Sequence, residues 1–388
     1  MQKIWPFSLN VLFYAAIAFV MPFTVLYYQS LGLGGAQIGI LVGLVPLVTM
    51  FGAPLFTGLA DATQRHRLVM GVTMLIGCIA TLLVPFFPQV APTILLIFTF
   101  NIFFSPVGAF TDSATLFMLA DKKEMYGRIR VGGTLGFGLA AIPAGILIQN
   151  YGLKIAFWGS GVLCLLGLLV SQKLTFGTAA AKGTAAPRSG IRILLTNRRW
   201  LFFLVLAFAG SMAMASVNSY LFSYMKEIGA DGNMMGYALA VSTISEVPIL
   251  FFGNRLLKKF GARKLMALAM LIAGARLLAT AAFNTPMLVL LIQFVSGLTF
   301  PLMWMAGVSY TEENAPPGMS ATAQGLFNAV VFGFGTAMGG FLGGLLLGSL
   351  GGRGMYFVFA VIVLVAVAVV TPIENRMSIK RQILPNDI

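Results

Sequence analysis

Polar and charged residues in this chain are gathered into short gaps between apolar runs about twenty residues long. About 20 apolar residues in a helix cross the roughly 30 Å hydrocarbon core of a bilayer, so each run predicts one membrane-spanning helix. Twelve such spans are expected: Pro6–Leu31, Ala36–Ala60, Leu68–Phe87, Thr93–Ala120, Arg128–Ile148, Ile155–Leu174, Trp200–Tyr224, Met234–Arg255, Lys264–Phe283, Met287–Tyr310, Thr322–Leu347 and Met355–Thr371. The first follows Lys3 and is longer than a signal-peptide core, so it reads as a retained span.

Composition sharpens this picture. Of 388 residues, 59% are hydrophobic and 9% charged, with a mean hydropathy of +0.92. Soluble domains run at roughly 45–50% apolar and about 25% charged. A water-soluble chain of this kind would lack the polar surface to cover itself, which excludes a soluble enzyme, a nucleic-acid-binding protein and a disordered chain. The net charge of +14 reads as a topology signal, because the basic residues sit in the gaps. The gaps after the odd-numbered spans hold only Lys154, Lys226 and Arg353, and Arg276 lies within a span; 21 of the 25 basic residues therefore fall on the other side or at its span ends. By the positive-inside rule both termini are expected in the cytoplasm. Cys78 and Cys164 lie in apolar runs, and one histidine leaves no cluster for a metal.

The longest gap, 175–197, is rich in Ala and Gly with scattered Lys182, Arg188 and Arg192. It reads as a passive, flexible cytoplasmic linker between a six-helix unit at 1–174 and another at 198–388, the latter ending in a short cytoplasmic tail. The units are related in sequence. Residues 31–39 (LGLGGAQIG) line up with 228–236 (IGADGNMMG), and the same offset of 197 places 64–68 (QRHRL) on 261–265 (GARKL). Parallel six-span repeats are a transporter architecture, with the site near the bilayer midplane between them. The glycine-dense stretch 333–344 suits close helix approach, and it lacks the flanking pattern of a phosphate loop.

Four ionisable residues sit inside the expected spans. Asp112 is ten residues before Lys122, Glu246 nine before Arg255, and Arg276 twelve past Lys264; at 1.5 Å per residue they lie about 13–18 Å deep. Arg130 is shallower, and its long side chain reaches toward Asp112. A charge at the bilayer centre costs about 2.5–3.5 kcal/mol. Pairing Asp112 with Arg130 and Glu246 with Arg276 compensates all four and gives a neutral set facing a wet cavity. The other reading is a pair of structural ion bridges. A carboxylate that loses its partner in apolar surroundings favours the protonated form, which makes Glu246 the first candidate proton carrier and Asp112 the second. Pro248 is expected to kink the helix beside Glu246. Asn101, Asn218, Gln324 and Asn328 are polar candidates for solute contact, although buried amides in membranes also simply join helices. Phe137 and Trp304 are candidates for stacking on a ring, or for packing.

The sequence resembles the major facilitator superfamily. Gly58-Leu-Ala-Asp61 with Arg65 and Arg67 is similar to its loop signature between spans 2 and 3, with Ala62 and Gln64 in place of the usual basic residue and glycine. That resemblance implies a cytoplasmic gate at Asp61, Arg65 and Arg67. Further landmarks are Met21-Pro-Phe, Ala36-Gln-Ile-Gly39, Thr111-Asp112, Tyr126-Gly-Arg-Ile-Arg130, Glu246-Val-Pro248 and Thr322-Ala-Gln-Gly325. They resemble the branch that holds lactose permease, the phenylpropionate permeases and the nucleoside–proton symporters. The resemblance implies solute binding by Asp112 and Arg130, ring stacking at Phe137, and a proton-coupling role for Arg276. Ser296 and Thr299 stand where the permease carries its span-10 His and Glu, so coupling is expected at Glu246 or absent.

The resulting expectation is an all-α membrane protein of twelve helices in two pseudo-symmetric bundles. It would be a secondary transporter, not an enzyme, moving a sugar, nucleoside or aromatic acid by alternating access with a proton as the coupling ion. Export of drugs or sugars, uncoupled diffusion and a non-transporting sensor are the competing readings. The expected partners are the solute and the lipid bilayer, without nucleic acid or another cofactor, and the expected setting is the inner membrane, as a monomer.

Overall fold

The computed structural model describes residues 4–120, 122–177, 194–316 and 319–383. Among them ten helices are long and apolar enough to cross a membrane, and an eleventh is a bent pair. In chain order these begin with α1 (Ile4–Ser30), α2 (Gly35–Thr63), α3 (His66–Phe86), α4 (Val90–Leu119), α5 (Tyr126–Tyr151) and α6 (Lys154–Ser171). The second half opens with α7 (Arg198–Glu227), the bent α8 (Gly232–Phe260), α9 (Ala262–Ala282) and α10 (Pro286–Asn314). The last candidate, Thr322–Ile373, has 52 residues, about 78 Å of helix, far too long for one crossing. Its backbone breaks at Gly351, where φ is 68°. It is therefore two crossings, α11 (320–350) and α12 (352–383), and the expected twelve are present. Most of the expected linker, with Lys182, Arg188 and Arg192, lies outside the described residues.

Several helices are interrupted where the sequence carries proline. α8 bends by 55° between Ile249 and Phe251, just after Pro248, as a missing backbone donor requires. α4 consists of Val90–Phe104 and Pro106–Leu119 joined at Ser105. α10 consists of Pro286–Ile292, a 3-10 segment Gln293–Leu298, and Phe300–Asn314, joined at Thr299. Pro106 and Pro301 follow these two joints 195 residues apart, close to the 197-residue register of the halves, so equivalent helices break at equivalent depth. α11 carries a π-helical turn at Ala329–Gly335, whose Val331 carbonyl accepts from the Ser211 and Thr336 hydroxyls.

Within the first half α1 packs on α5 and α6, and α3 on α4 and α6; within the second, α7 packs on α11 and α12, and α9 on α10 and α12. The halves meet along α2 with α11, α5 with α8, and α1 with α7. These contacts gather at one end. A Cβ on Gly35 would fall 2.5 Å from the Gly344 carbonyl oxygen, one on Gly39 2.6 Å from that of Phe341, and one on Gly43 2.8 Å from that of Ala337. The α5–α8 contact matches it: a Cβ on Gly236 would lie 2.8 Å from the Ala141 oxygen, and the Gly232 amide donates to Gln149 at 2.7 Å. Gln29 donates to Ser223 at 2.6 Å between α1 and α7. At the other end of the same helices, Gly58 on α2, Gly127 on α5 and Gly325 on α11 have open space around them. The halves are thus zipped together at the end away from the termini and splayed at the end that carries them.

Candidate functional site

In the first half, small residues on α5 determine where Arg130 goes. Gly132, Gly133 and Gly136 let α1 lie directly on α5, and a Cβ at position 133 would come within 2.7 Å of both Arg130 Nη1 and the Tyr14 ring. The guanidinium fills that space. It lies over the Tyr14 ring, 4.6 Å from the centroid, and donates to the Tyr14 hydroxyl. Tyr126, one helical turn before Arg130 and on the same face, is a polar neighbour of Asp112 and interacts with it, and α4 presents that carboxyl past its Pro106 joint. Arg130 and Asp112 act on one another through space, but among the described residues they are not within 4.0 Å. The expected direct ion pair is therefore replaced by a four-membered cluster, Tyr14–Arg130–Asp112–Tyr126. The reason is geometric: the α1–α5 contact offers Arg130 a nearer acceptor. Asp112 and Arg130 are both half-buried, so the cluster retains an accessible side.

The second half departs from expectation in the same way. Arg276 is only 5% exposed, so it does not face a wet cavity. Its guanidinium donates to Gln293 Oε1 at 2.5 Å and to Thr299 Oγ1 at 3.3 Å, and no carboxylate among the described residues lies within 4.0 Å. Tyr356 of α12 and Glu246 of α8 act on it from further away. Glu246 is half-buried on the stretch of α8 that is clamped to the 3-10 segment of α10. There Ser242 donates to Ser296 at 2.7 Å, the Gly297 amide donates to Ser245 at 3.0 Å, and position 297 has no room for a side chain against the Ser245 carbonyl. Glu246 and Arg276 are near neighbours rather than an ion pair, because the broken α10 supplies neutral acceptors to the arginine first.

The remaining candidates fall into three groups. Asn218 is exposed in the middle of α7 although 211–217 and 220–225 are buried. Its exposure between two buried stretches marks a local opening in the packing around α7. Asn101 donates back to Ile97 at 2.8 Å, and Gln324 donates to Asn328 at 3.2 Å, directly before the π turn. Phe137 is partly buried against the core, and Trp304 packs on Phe327 and Phe332 with ring centroids 5.6 and 4.9 Å away. The expected gate residues stay within the first half. Asp61 pairs with His66 at 2.8 Å, not with either arginine, and Arg67 donates to Gln172 at 3.3 Å. Exposed Arg65 and Arg67, with Gln172, rim a groove of about 620 Å³ beside Phe176, which stacks on His66 at 5.6 Å.

Sequence reasoning missed Tyr14, Tyr126, Gln293 and Tyr356 as members of the charged clusters. Only Tyr126 carried a signal, its i, i+4 spacing from Arg130.

Comparison with known proteins agrees with this architecture. Residues 7–369 match the MFS_1 like family. A maltose permease of Geobacillus stearothermophilus is 26% identical over 97% of this chain and 95% of its own length. A probable 3-phenylpropionic acid transporter of Escherichia coli is 24% identical over 89% and 91%. The crystal structure of the nucleoside transporter NupG superposes with a TM-score of 0.83 at 18% identity, covering 96% of this chain and 98% of that one.

Proposed function

Because the chain belongs to the MFS_1 like family, a family of multi-pass secondary transporters and not of enzymes, we propose that it carries a small polar organic solute inward together with a proton. Asp112 and Arg130 bind the solute, and Glu246 carries the proton. The observation that carries this reading is the arrangement of two polar clusters, one in each half, each with a half-buried carboxyl (Asp112 and Glu246), beside helices that break at matching depth. In membrane carriers, discontinuous helices near the midplane free backbone and side-chain polar groups for a ligand.

Arg130 offers a planar fork of donors and Asp112 an acceptor, which together suit hydroxyls or a carboxylate through charge-assisted bonds. The partners they now hold, Tyr14 and Tyr126, are neutral hydroxyls that a solute can displace without leaving a bare charge. Asn218 extends the polar surface on the opposing half, and Asn101, Gln324, Asn328 and Phe137 are the further contacts in this reading. With the termini in the cytoplasm, as the Lys/Arg distribution implies, the zipped end is extracellular and the structure is the inward-open state. Asp61, Arg65 and Arg67 then rim the open side, where they serve as the gate when it closes. The names of the relatives make maltose, nucleosides and 3-phenylpropionate the first solutes to try. Bound to the detergent-purified protein, the right class raises the melting temperature by mass action.

The test of the proton role uses proteoliposomes and whichever solute raises that temperature. Wild-type protein is expected to carry protons inward when solute is added outside. Glu246→Gln, a neutral mimic of the protonated side chain, is expected to abolish proton entry and uphill uptake while retaining solute counterflow. Proton entry that persists in Glu246→Gln would remove Glu246 as the carrier.

A further inference from the structure

The buried Arg276 is held in an unusual way. A guanidinium taken out of water normally requires a carboxylate partner, because removing one partner of a buried pair is strongly destabilising. Here both of its near acceptors are neutral, and both are pre-oriented. Gln293, itself 1% exposed, donates its amide Nε2 to the Val289 carbonyl at 2.7 Å, which turns its Oε1 toward Arg276. Thr299, fully buried, donates its hydroxyl hydrogen to the Ser296 carbonyl at 2.6 Å, which leaves only lone pairs for Arg276. The donor group of each residue is thus turned away from the guanidinium. The 3-10 geometry of Gln293–Leu298 and the joint at Thr299 bring both acceptors to one side of α10. The same segment clamps α8 at Ser242 and Ser245, one turn and one residue before Glu246.

We infer that Gln293 and Thr299 are positioning residues that hold the Arg276 guanidinium off Glu246, leaving that carboxyl free to gain and lose a proton. The groups around Glu246 are consistent with this division. On this stretch of α8, Ser242 and Ser245 meet Ser296 and Gln293 of α10, Gly297 lies against the Ser245–Glu246 peptide, and Gly138 of α5 faces Thr243, all neutral. Arg276 on α9 is the charge that acts on it, and Tyr356 of α12 acts in turn on that arginine. The inference deepens the reading of Glu246 as proton carrier and rests on it for its biological meaning. Its physical content is where the arginine sits.

The experiment titrates the Glu246 carboxyl directly, by the infrared band of the protonated acid in the full-length protein, assigned by its loss in Glu246→Gln. In Gln293→Leu the guanidinium loses its principal acceptor and turns to Glu246. An opposite charge close by favours the ionised carboxylate, so the midpoint falls by about one pH unit or more. In Gln293→Glu a new carboxylate engages Arg276 and neutralises it. Glu246 loses the positive field and its midpoint rises by about one pH unit. Thr299→Val is expected to act like Gln293→Leu with a smaller shift, and if Gln293→Leu does not fold, Gln293→Glu and Thr299→Val carry the test. A packing role alone would lower stability in each variant without moving the midpoint in opposite directions. Midpoints that stay put, or move the same way in the leucine and glutamate variants, overturn the inference. If the midpoints move as stated while solute-driven proton entry survives Glu246→Gln, the positioning stands and the proton-carrier reading falls.

Discussion

Replacing Arg130 by glutamine is expected to reduce solute affinity about 30-fold or more, the largest loss of any single side chain in the first half. Two effects add. The variant removes the charged fork that grips the solute, and it leaves Asp112 half-buried without a cation. Truncating one member of such a hydrogen-bonded charged set costs about 2–5 kcal/mol. Arg130→Lys is expected to recover little, because a point charge on a flexible stem reproduces neither the planar fork nor the stacking on Tyr14. Tyr14→Phe keeps the ring beneath the guanidinium and removes only the hydroxyl that the solute displaces, so affinity should stay within about threefold of wild type or rise. Equilibrium binding of the solute found by thermal shift reads all three. Wild-type affinity in Arg130→Lys would show that the solute sits elsewhere and that this arginine only joins α5 to α1.

The contrast between what was legible in the sequence and what was not follows from the kind of physics each feature obeys. Span number and order were legible because bilayer thickness imposes one length on every apolar run; even the break at Gly351, hidden inside one continuous helical run, follows from a gap the hydropathy already marks. The kink in α8 was legible because Pro248 removes a donor whatever surrounds it. The partners of the buried charges were not legible. Summing charges over Asp112, Arg130, Glu246 and Arg276 gives zero and invites two ion pairs, but a guanidinium is equally satisfied by oriented neutral acceptors. Tyr14, Gln293 and Thr299 are such acceptors; they lie inside apolar runs, and even Thr299, marked by the resemblance, carries no sign that it accepts from Arg276. Their roles arise from two tertiary features: the glycine-lined contact of α1 with α5, and the non-helical turn in α10. Periodicity reports neither. The 195-residue spacing of Pro106 and Pro301 was a readable sign of paired helix breaks that span counting alone passes over.

Enlarging a glycine in the zipped end should shift the conformational balance more than any change within the polar clusters. At Gly39 and Gly344 the obstacle to a side chain is backbone: the Phe341 carbonyl for the first, and Gly39 itself for the second. Backbone cannot rotate aside, so the closed end must part. Overpacking of this kind costs typically about 1–3 kcal/mol at each site, and it falls only on the state in which α2 and α11 touch. The opposite state, in which this end is separated, is spared. A combined Gly39→Leu and Gly236→Leu variant loads both symmetry-related contacts, α2–α11 and α5–α8, and is expected to move the population about 30-fold or more toward the state open at the far end. The reporter is a cysteine introduced by Asn218→Cys, at the local opening in the packing around α7; native Cys78 and Cys164 are buried and serve as the unlabelled background. In right-side-out vesicles, labelling of that cysteine by an impermeant maleimide should be slow in the otherwise wild-type chain and fast in the double-leucine chain, with the order reversed in inside-out vesicles. Equal rates in the two chains would mean that the glycine contacts hold the helices without governing access, and the rocking of one half against the other would have to be sought at another interface.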